Sequence, residues 1–278
     1  MFIPMHKIDD EFMAGMPERV KMSMDNLPLL VETSRTKAMN LALLSNAASS
    51  AAGFTYLVDP KSDAVSQSLE ISRQALNAMF ACVVNTSSAT VVQFGKGEPV
   101  SLTGKPDESA LHAGRWLDAF YLNLIFGDLD ELRKLCHVPT ELLRASSTIA
   151  SEYAYLYKDV LCSYIHGEPD VIDQIIATLR ATDPERPDIV NRYYMLTKSV
   201  PNIQLFYYAV TSDQKFGAAM QTAVQCHRDY WGDSLENSRS ARGFISLDLL
   251  GLAVLGMDSG LSFDVESPYL PMHLIKSL

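Results

Sequence analysis

Residues 243–278 read GFISLDLLGLAVLGMDSGLSFDVESPYLPMHLIKSL, and the fold class turns on how this stretch is parsed. Ser246 stands where a helix N-cap belongs, and Asp248 follows in the first turn, where a carboxylate meets unpaired N–H groups and the positive end of the helix dipole. Gly260 supplies the stop. Between these signals Leu247, Leu249, Leu250, Leu252, Val254, Leu255 and Met257 leave no polar face, so the helix is expected to be surrounded by protein on nearly all sides. A bilayer span needs roughly 20 apolar residues, more than this run holds, so a core rod is expected and a membrane segment is not. Leu261, Phe263 and Val265 then alternate with Ser262, Asp264 and Glu266, which predicts a short extended segment with one buried side. Pro268 and Pro271 prevent a regular element across them.

Working back from this rod, helical periodicity dominates. Pro17 and Glu18 open a helix with a partial stripe of Val20, Met24 and Leu27, which Pro28 is expected to stop. Ser34 to Ala52 follows, with Gly53 expected to end it, and then Asp63 to Val83. In that third helix Val65, Leu69, Ser72, Leu76, Met79 and Phe80 point inward by spacing, and Glu70, Arg73 and Gln74 outward. Thr90 to Phe94 and Val100 to Thr103 flank Gly95-Lys96-Gly97-Glu98 and predict a small hairpin; a phosphate-cradling loop would need more glycines at fixed spacing and a helix start. From Pro106 onward the chain reads as helix pairs with short connections, hence antiparallel neighbours. Asp183-Pro-Glu-Arg-Pro187 is a loop, helical residues run from Ile189 to Val200, and a further segment follows Pro201. Gln214 to Tyr230 forms a later helix, with Phe216, Met220, Val224 and His227 on its inward face. The expected architecture is mainly α: antiparallel helical hairpins in a solenoid-like or bundle array, with one β-hairpin near residues 90–103. An N-terminal part, 1–105, and a helical-hairpin part, 106–278, are expected to form one continuous unit.

The composition is globular, with 47% hydrophobic and 20% charged residues over 278 positions. A net charge of -10 argues against nucleic-acid binding, which uses a basic face to neutralise phosphates; it fits a basic partner better, though the more common reason for such acidity is simply to keep a cytoplasmic protein soluble. Cys82, Cys136, Cys162 and Cys226 are scattered, with no zinc or redox spacing, and no signal-peptide run opens the chain, so a reducing cytoplasm is expected. None of His6, His112, His137, His166, His227 and His273 pairs with another at metal-ligand spacing. His227 beside Asp229 could act as a general base, but a histidine on an apolar stripe is more often a satisfied core residue. No catalytic constellation, cofactor site or metal site is expected. Three groups stand out as contact positions for a partner: the acidic corner Asp128, Asp130 and Glu131, the loop acids Asp183, Glu185 and Asp188, and the aromatic pair Tyr230 and Trp231. The acids also suit helix starts, for dipole reasons alone.

The helix FGAAMQTAVQCHRDYW at 216–231, the segment Gly243-Phe-Ile-Ser-Leu, the apolar run ending Met257-Asp-Ser-Gly260, and Val265-Glu-Ser-Pro-Tyr-Leu-Pro271 with His273-Leu274 resemble the bacterial immunity protein 49 family. Trp116 leading an apolar helix and Gly127-Asp128 extend the likeness into the middle of the chain; the first hundred or so residues resemble the family only in outline. Leu255-Gly-Met-Asp258 departs from the alanine and histidine expected there, which puts in doubt a role for that histidine but not the fold. The resemblance implies a mostly helical protein, made beside a polymorphic toxin, that binds the toxin and neutralises it without enzymatic activity. On that basis the expected partner is a cognate toxin domain, with a basic nuclease-like effector fitting the acidity. A helical-repeat adaptor or chaperone that binds peptides is the alternative from the helix pairs alone.

Overall fold

A computed structural model describes residues 1–276 apart from 85–88, 96 and 103. Its helices are α1 (Asp10–Ala14), α2 (Met16–Ser34), α3 (Leu41–Val58), α4 (Asp63–Val84), α5 (Ala113–Ile125), α6 (Leu129–Cys136), α7 (Thr140–Arg144), α8 (Glu152–His166), α9 (Val171–Arg180), α10 (Arg192–Tyr194), α11 (Val200–Val210), α12 (Phe216–Gly232), α13 (Leu235–Ser238) and α14 (Leu247–Asp258). The hairpin is present as β1 (Thr90–Val92) and β2 (Val100–Leu102), antiparallel, with Val91 opposite Ser101; Lys96 and Thr103 lie outside the described residues. The protein is mainly α.

The apolar rod is α14. Leu249 to Gly256 are all buried, while Met257 at the end reaches solvent. It packs on α5 and α11, with α12 alongside. Gly260 takes φ 76 to end it, and Gly167 takes φ 71 to end α8, conformations that cost a glycine nothing. Beyond α14, Leu261 and Val265 are buried as the alternation requires, and Glu266 bridges Phe2 in parallel. The amide of Ile3 donates to the Glu266 carbonyl at 2.9 Å, so the first residues run beside the last.

Three breaks differ from expectation. Pro28 lies inside α2, and Gly53 lies inside α3. A proline removes one intrahelical bond, which an exposed helix flanked by good packing can lose. Gly53 is a contact and not a terminus: a Cβ there would overlap the carbonyl oxygen of Ala241. The third break is Pro201, where one continuous helix runs from α10 through a π turn at Met195–Ser199 into α11. The wider turn takes up the missing proline N–H and rotates the side chains before it.

Residues 38–58 are long and apolar enough, by length and composition, to cross a membrane. In the fold this segment lies between α2 and α4, with Leu41, Leu44, Ala48, Ala51 and Ala52 buried. One buried apolar cluster extends from Ile3 to Leu274 and includes members of both halves of the chain.

Candidate functional site

The densest set of chemically capable groups is buried where α12, the π turn and the start of α14 meet. The stripe Phe216, Met220 and Val224 carries His227 inward. The imidazole Nε2 lies 3.1 Å from the Gly243 carbonyl oxygen, which can only accept, so the proton sits on Nε2. Its Nδ1 then accepts from the Lys198 ammonium at 2.7 Å. Ser246 Oγ is 2.9 Å from the same Nδ1 and donates to Asp248 Oδ1 at 2.5 Å. Asp248 Oδ2 receives Lys198 Nζ at 2.9 Å and Asn202 Nδ2 at 2.7 Å. One cation and one anion thus face each other with most of their hydrogen bonds satisfied, the condition under which a buried pair is tolerable.

The electrostatics follow from this geometry. Burial pushes the His227 imidazole down to about 3, and the Lys198 charge adds to the effect, so the ring is neutral. Burial opposes the charge on Asp248, but the Lys198 ammonium and the hydrogen bond from the Ser246 hydroxyl outweigh it and hold the carboxyl well below the usual carboxylate range. Next to this cluster His6 lies between Phe244 and Tyr269, with ring centroids 6.0 and 5.9 Å away. Its Nε2 donates to the Ser238 carbonyl at 3.2 Å and its Nδ1 accepts from the Tyr269 hydroxyl at 2.7 Å. Burial lowers the His6 pKa and raises that of Tyr269 to about 12.

This arrangement holds elements together and is poorly placed to turn over a substrate. A catalytic triad uses its carboxylate to orient the imidazole and leaves the hydroxyl free to attack. Here the carboxylate takes the hydroxyl proton and an ammonium occupies the imidazole's free nitrogen. His227 is also 1% exposed, with Tyr269 at 4.6 Å and Trp231 at 6.1 Å over it. The pairing of His227 with Asp229 does not occur: Asp229, two residues on, points about 200° round the helix and accepts from Gln225 Nε2 at 2.7 Å. Lys198 and Asn202 were not legible as partners, because nothing in a local window places them beside His227. The one local signal was a lysine set just before the apolar tract 200–210.

Among the described residues no other centre of metal or ligand chemistry is assembled. All four cysteines are free thiols. The His137 and His166 rings approach to 6.1 Å at the ends of α6 and α8, yet no group of three or more His, Cys, Asp or Glu is arranged to hold a metal among the described residues. A cavity of about 190 Å³ between α4 and α6 is lined by Asn77, Phe80, Val84, Glu131, Lys134 and His137 among others. That is smaller than the roughly 300 Å³ at which small-molecule pockets begin.

The expected contact residues fall into two places. Asp128 caps α6, accepting from the Glu131 amide at 3.1 Å, and meets Arg73 Nη1 at 2.6 Å. Arg73, expected to face outward, is instead buried and bonded to Glu70, Asn123 and Asp128. Asp130 pairs with Arg133 at 3.2 Å and Glu131 with Lys134 at 2.6 Å, both within α6. The second place is larger. Asp183 turns the loop by accepting from the Glu185 amide at 3.0 Å, and Asp188 pairs with Arg186 at 2.9 Å. Glu185 reaches Arg192 at 3.1 Å, next to Tyr193, whose ring stacks on Tyr230 at 5.7 Å. The 183–188 loop and Tyr230 therefore share one side of the protein. Trp231 packs edge-on to Tyr230 at 5.1 Å and lies over Gly243, where a Cβ would come within 2.7 Å of the indole.

The family model described as Immunity protein 49 matches residues 59–274. Searches of curated proteins and of solved structures give no significant match.

Proposed function

The chain belongs to the immunity protein 49 family, and from that membership we propose that it binds and neutralises a cognate toxin domain by occluding the toxin's active site. The match over residues 59–274 is the observation that carries this reading, since it spans most of the chain and includes α4 through α14. Three features of the molecule agree with it. The chemically capable groups are sealed inside as a structural network, which favours a binding protein over an enzyme. The net charge of -10 suits a basic toxin, of which a nuclease-like effector is one kind, and would speed encounter with it. Free, mostly buried cysteines suit the reducing cytoplasm in which a producing cell meets its own toxin.

Co-expression tests the proposal. A host killed by the toxin gene adjoining this chain's gene is expected to survive when the chain is expressed with it, and the two proteins are expected to co-purify as a stoichiometric complex. Continued killing despite soluble expression of the chain would overturn the immunity reading. Protection without a complex would overturn direct occlusion.

A further inference from the structure

The π turn at Met195–Ser199 divides its neighbourhood in two. Met195 and Lys198 turn inward, Lys198 to the buried cluster, while Tyr193, Tyr194 and Leu196 remain 43%, 41% and 44% exposed. Val190, just before α10, is 61% exposed. Tyr230 ties the two tyrosines into one surface, stacking on Tyr193 at 5.7 Å and meeting Tyr194 edge-on at 5.4 Å, and Val190 and Leu196 adjoin them along the chain. Contiguous exposed apolar surface rimmed by polar groups is unusual on a monomer and marks an interaction site, and tyrosine is among the residues that dominate interface energies. The exposed apolar residues of α2, Met22 and Leu29, carry thioether and aliphatic side chains without a ring.

The rim decides what sort of partner fits. The arginines beside the patch are already paired, Arg186 with Asp188, Arg192 with Glu185 and Arg242 with Asp118. Asp183, Asp229 and Asp233 have no cationic partner among the described residues, and Asp229 and Asp233 lie close enough to raise the Tyr193 hydroxyl pKa after burial has done so. The Tyr193 ring therefore sits beside two carboxylates without a cationic partner, and Tyr230 lies between Asp233 and the already paired Arg242. A guanidinium or ammonium entering there gains both a carboxylate and an aromatic face.

We propose that the face formed by Val190, Tyr193, Tyr194, Leu196 and Tyr230 is where the cognate toxin docks, and that the toxin presents a cationic, arginine- or lysine-bearing surface to it. The inference rests on the immunity reading above. It assigns the aromatic centre as the anchor and Asp183, Asp229 and Asp233 as the charged rim.

The test uses the full chain and the purified domain encoded by the adjoining toxin gene, with Kd measured by calorimetry. Y193A/L196S is expected to weaken binding by at least about tenfold, and D229K/D233K to do the same while flattening the dependence on salt between about 50 and 500 mM NaCl. M22S/L29S on α2 is expected to stay within about twofold of the unaltered chain. Single V190K and L196K variants, at positions too exposed to disturb folding, guard against misfolding of the double variant, as does an unchanged Tm. Binding by Y193A/L196S, V190K and L196K within about twofold of the unaltered chain would overturn the docking surface while leaving the immunity reading in place. Weakening by Y193A/L196S but not by D229K/D233K would overturn the cationic partner. An unaltered chain that neither binds nor protects would remove the immunity reading and this inference with it.

Discussion

Lys198 is the residue on which the buried cluster turns, because its removal leaves Asp248 charged and enclosed without a counter-ion. Lys198→Met is expected to cost about 3–5 kcal/mol in urea unfolding, the usual penalty for breaking a buried pair. Adding Asp248→Asn should recover much of it, since the amide keeps hydrogen bonds without a charge; equal instability of the single and double variants would show that the pair is not what Lys198 supplies. The histidines give this neighbourhood a pH signature. His227 is held at about 3 and His112 at about 4, and His6 is also lowered, against an ordinary value of 6.5. Below about pH 6.5 the unfolded chain takes up protons that the folded chain refuses, so stability is greatest above that pH and falls as pH drops toward 4. Each such histidine adds up to about 1.4 kcal/mol per pH unit. The urea midpoint should therefore fall between pH 7.5 and 5.0, and fall less steeply in His227→Gln, which can still donate to Gly243 and accept from Lys198; a flat profile in the unaltered chain would contradict the neutral assignment. Of this cluster, the inward position of His227 was readable from helical spacing. Its partners were not, because Lys198 and Asp248 are distant in sequence and a first-turn aspartate is explained as well by the helix dipole.

At the scale of elements, the helices declared by strong periodicity and stop signals are where the sequence places them, α14 most clearly, since an apolar run without a polar face has no other use in a globular chain. Errors fell at prolines and glycines. Pro28, Gly53 and Pro201 carry local signals to stop, yet each lies within a helical segment that continues through it. Gly53 is the clearest case: it lets α3 approach the 241–243 turn so closely that no side chain fits. Gly53→Ala is expected to destabilise by about 1–3 kcal/mol, although alanine is the better helix former, because the overlap is with backbone that cannot rotate away. Calorimetry settles the sign, and a higher Tm in the alanine variant would mean that α3 and the 241–243 turn sit further apart. The pairing of Phe2 with Glu266 was likewise invisible locally, being a contact between the two ends of the chain.

The molecule as a whole extends beyond the segment that carries its family likeness. The match begins at Asp59, yet α3 lies between α2 and α4, and the Tyr56 hydroxyl donates to the Pro268 carbonyl at 2.5 Å. His6 and Ile3 close over Tyr269 and the C-terminal extended segment. Residues 1–58 thus supply one wall of the core, including Leu41, Leu44, Ala48 and Ala52, which cover α4. A fully buried large apolar side chain contributes about 1.5–3 kcal/mol, so losing Ile3, Phe12, Met16, Leu27, Leu41 and Leu44 together removes about 9–18 kcal/mol, comparable with the whole 5–15 kcal/mol by which a domain of this kind is stable. Residues 59–278 expressed alone are therefore expected to lack a cooperative thermal transition and to bind hydrophobic dye, even though they contain all of the family-matched sequence and the aromatic face around Tyr193. Adding 1–58 as a separate polypeptide should restore the transition if the two pieces meet at the same interface. A truncated chain that melts cooperatively near the full-length Tm would show instead that the family-matched region is a self-sufficient fold and that α1 to α3 are an appendage to it.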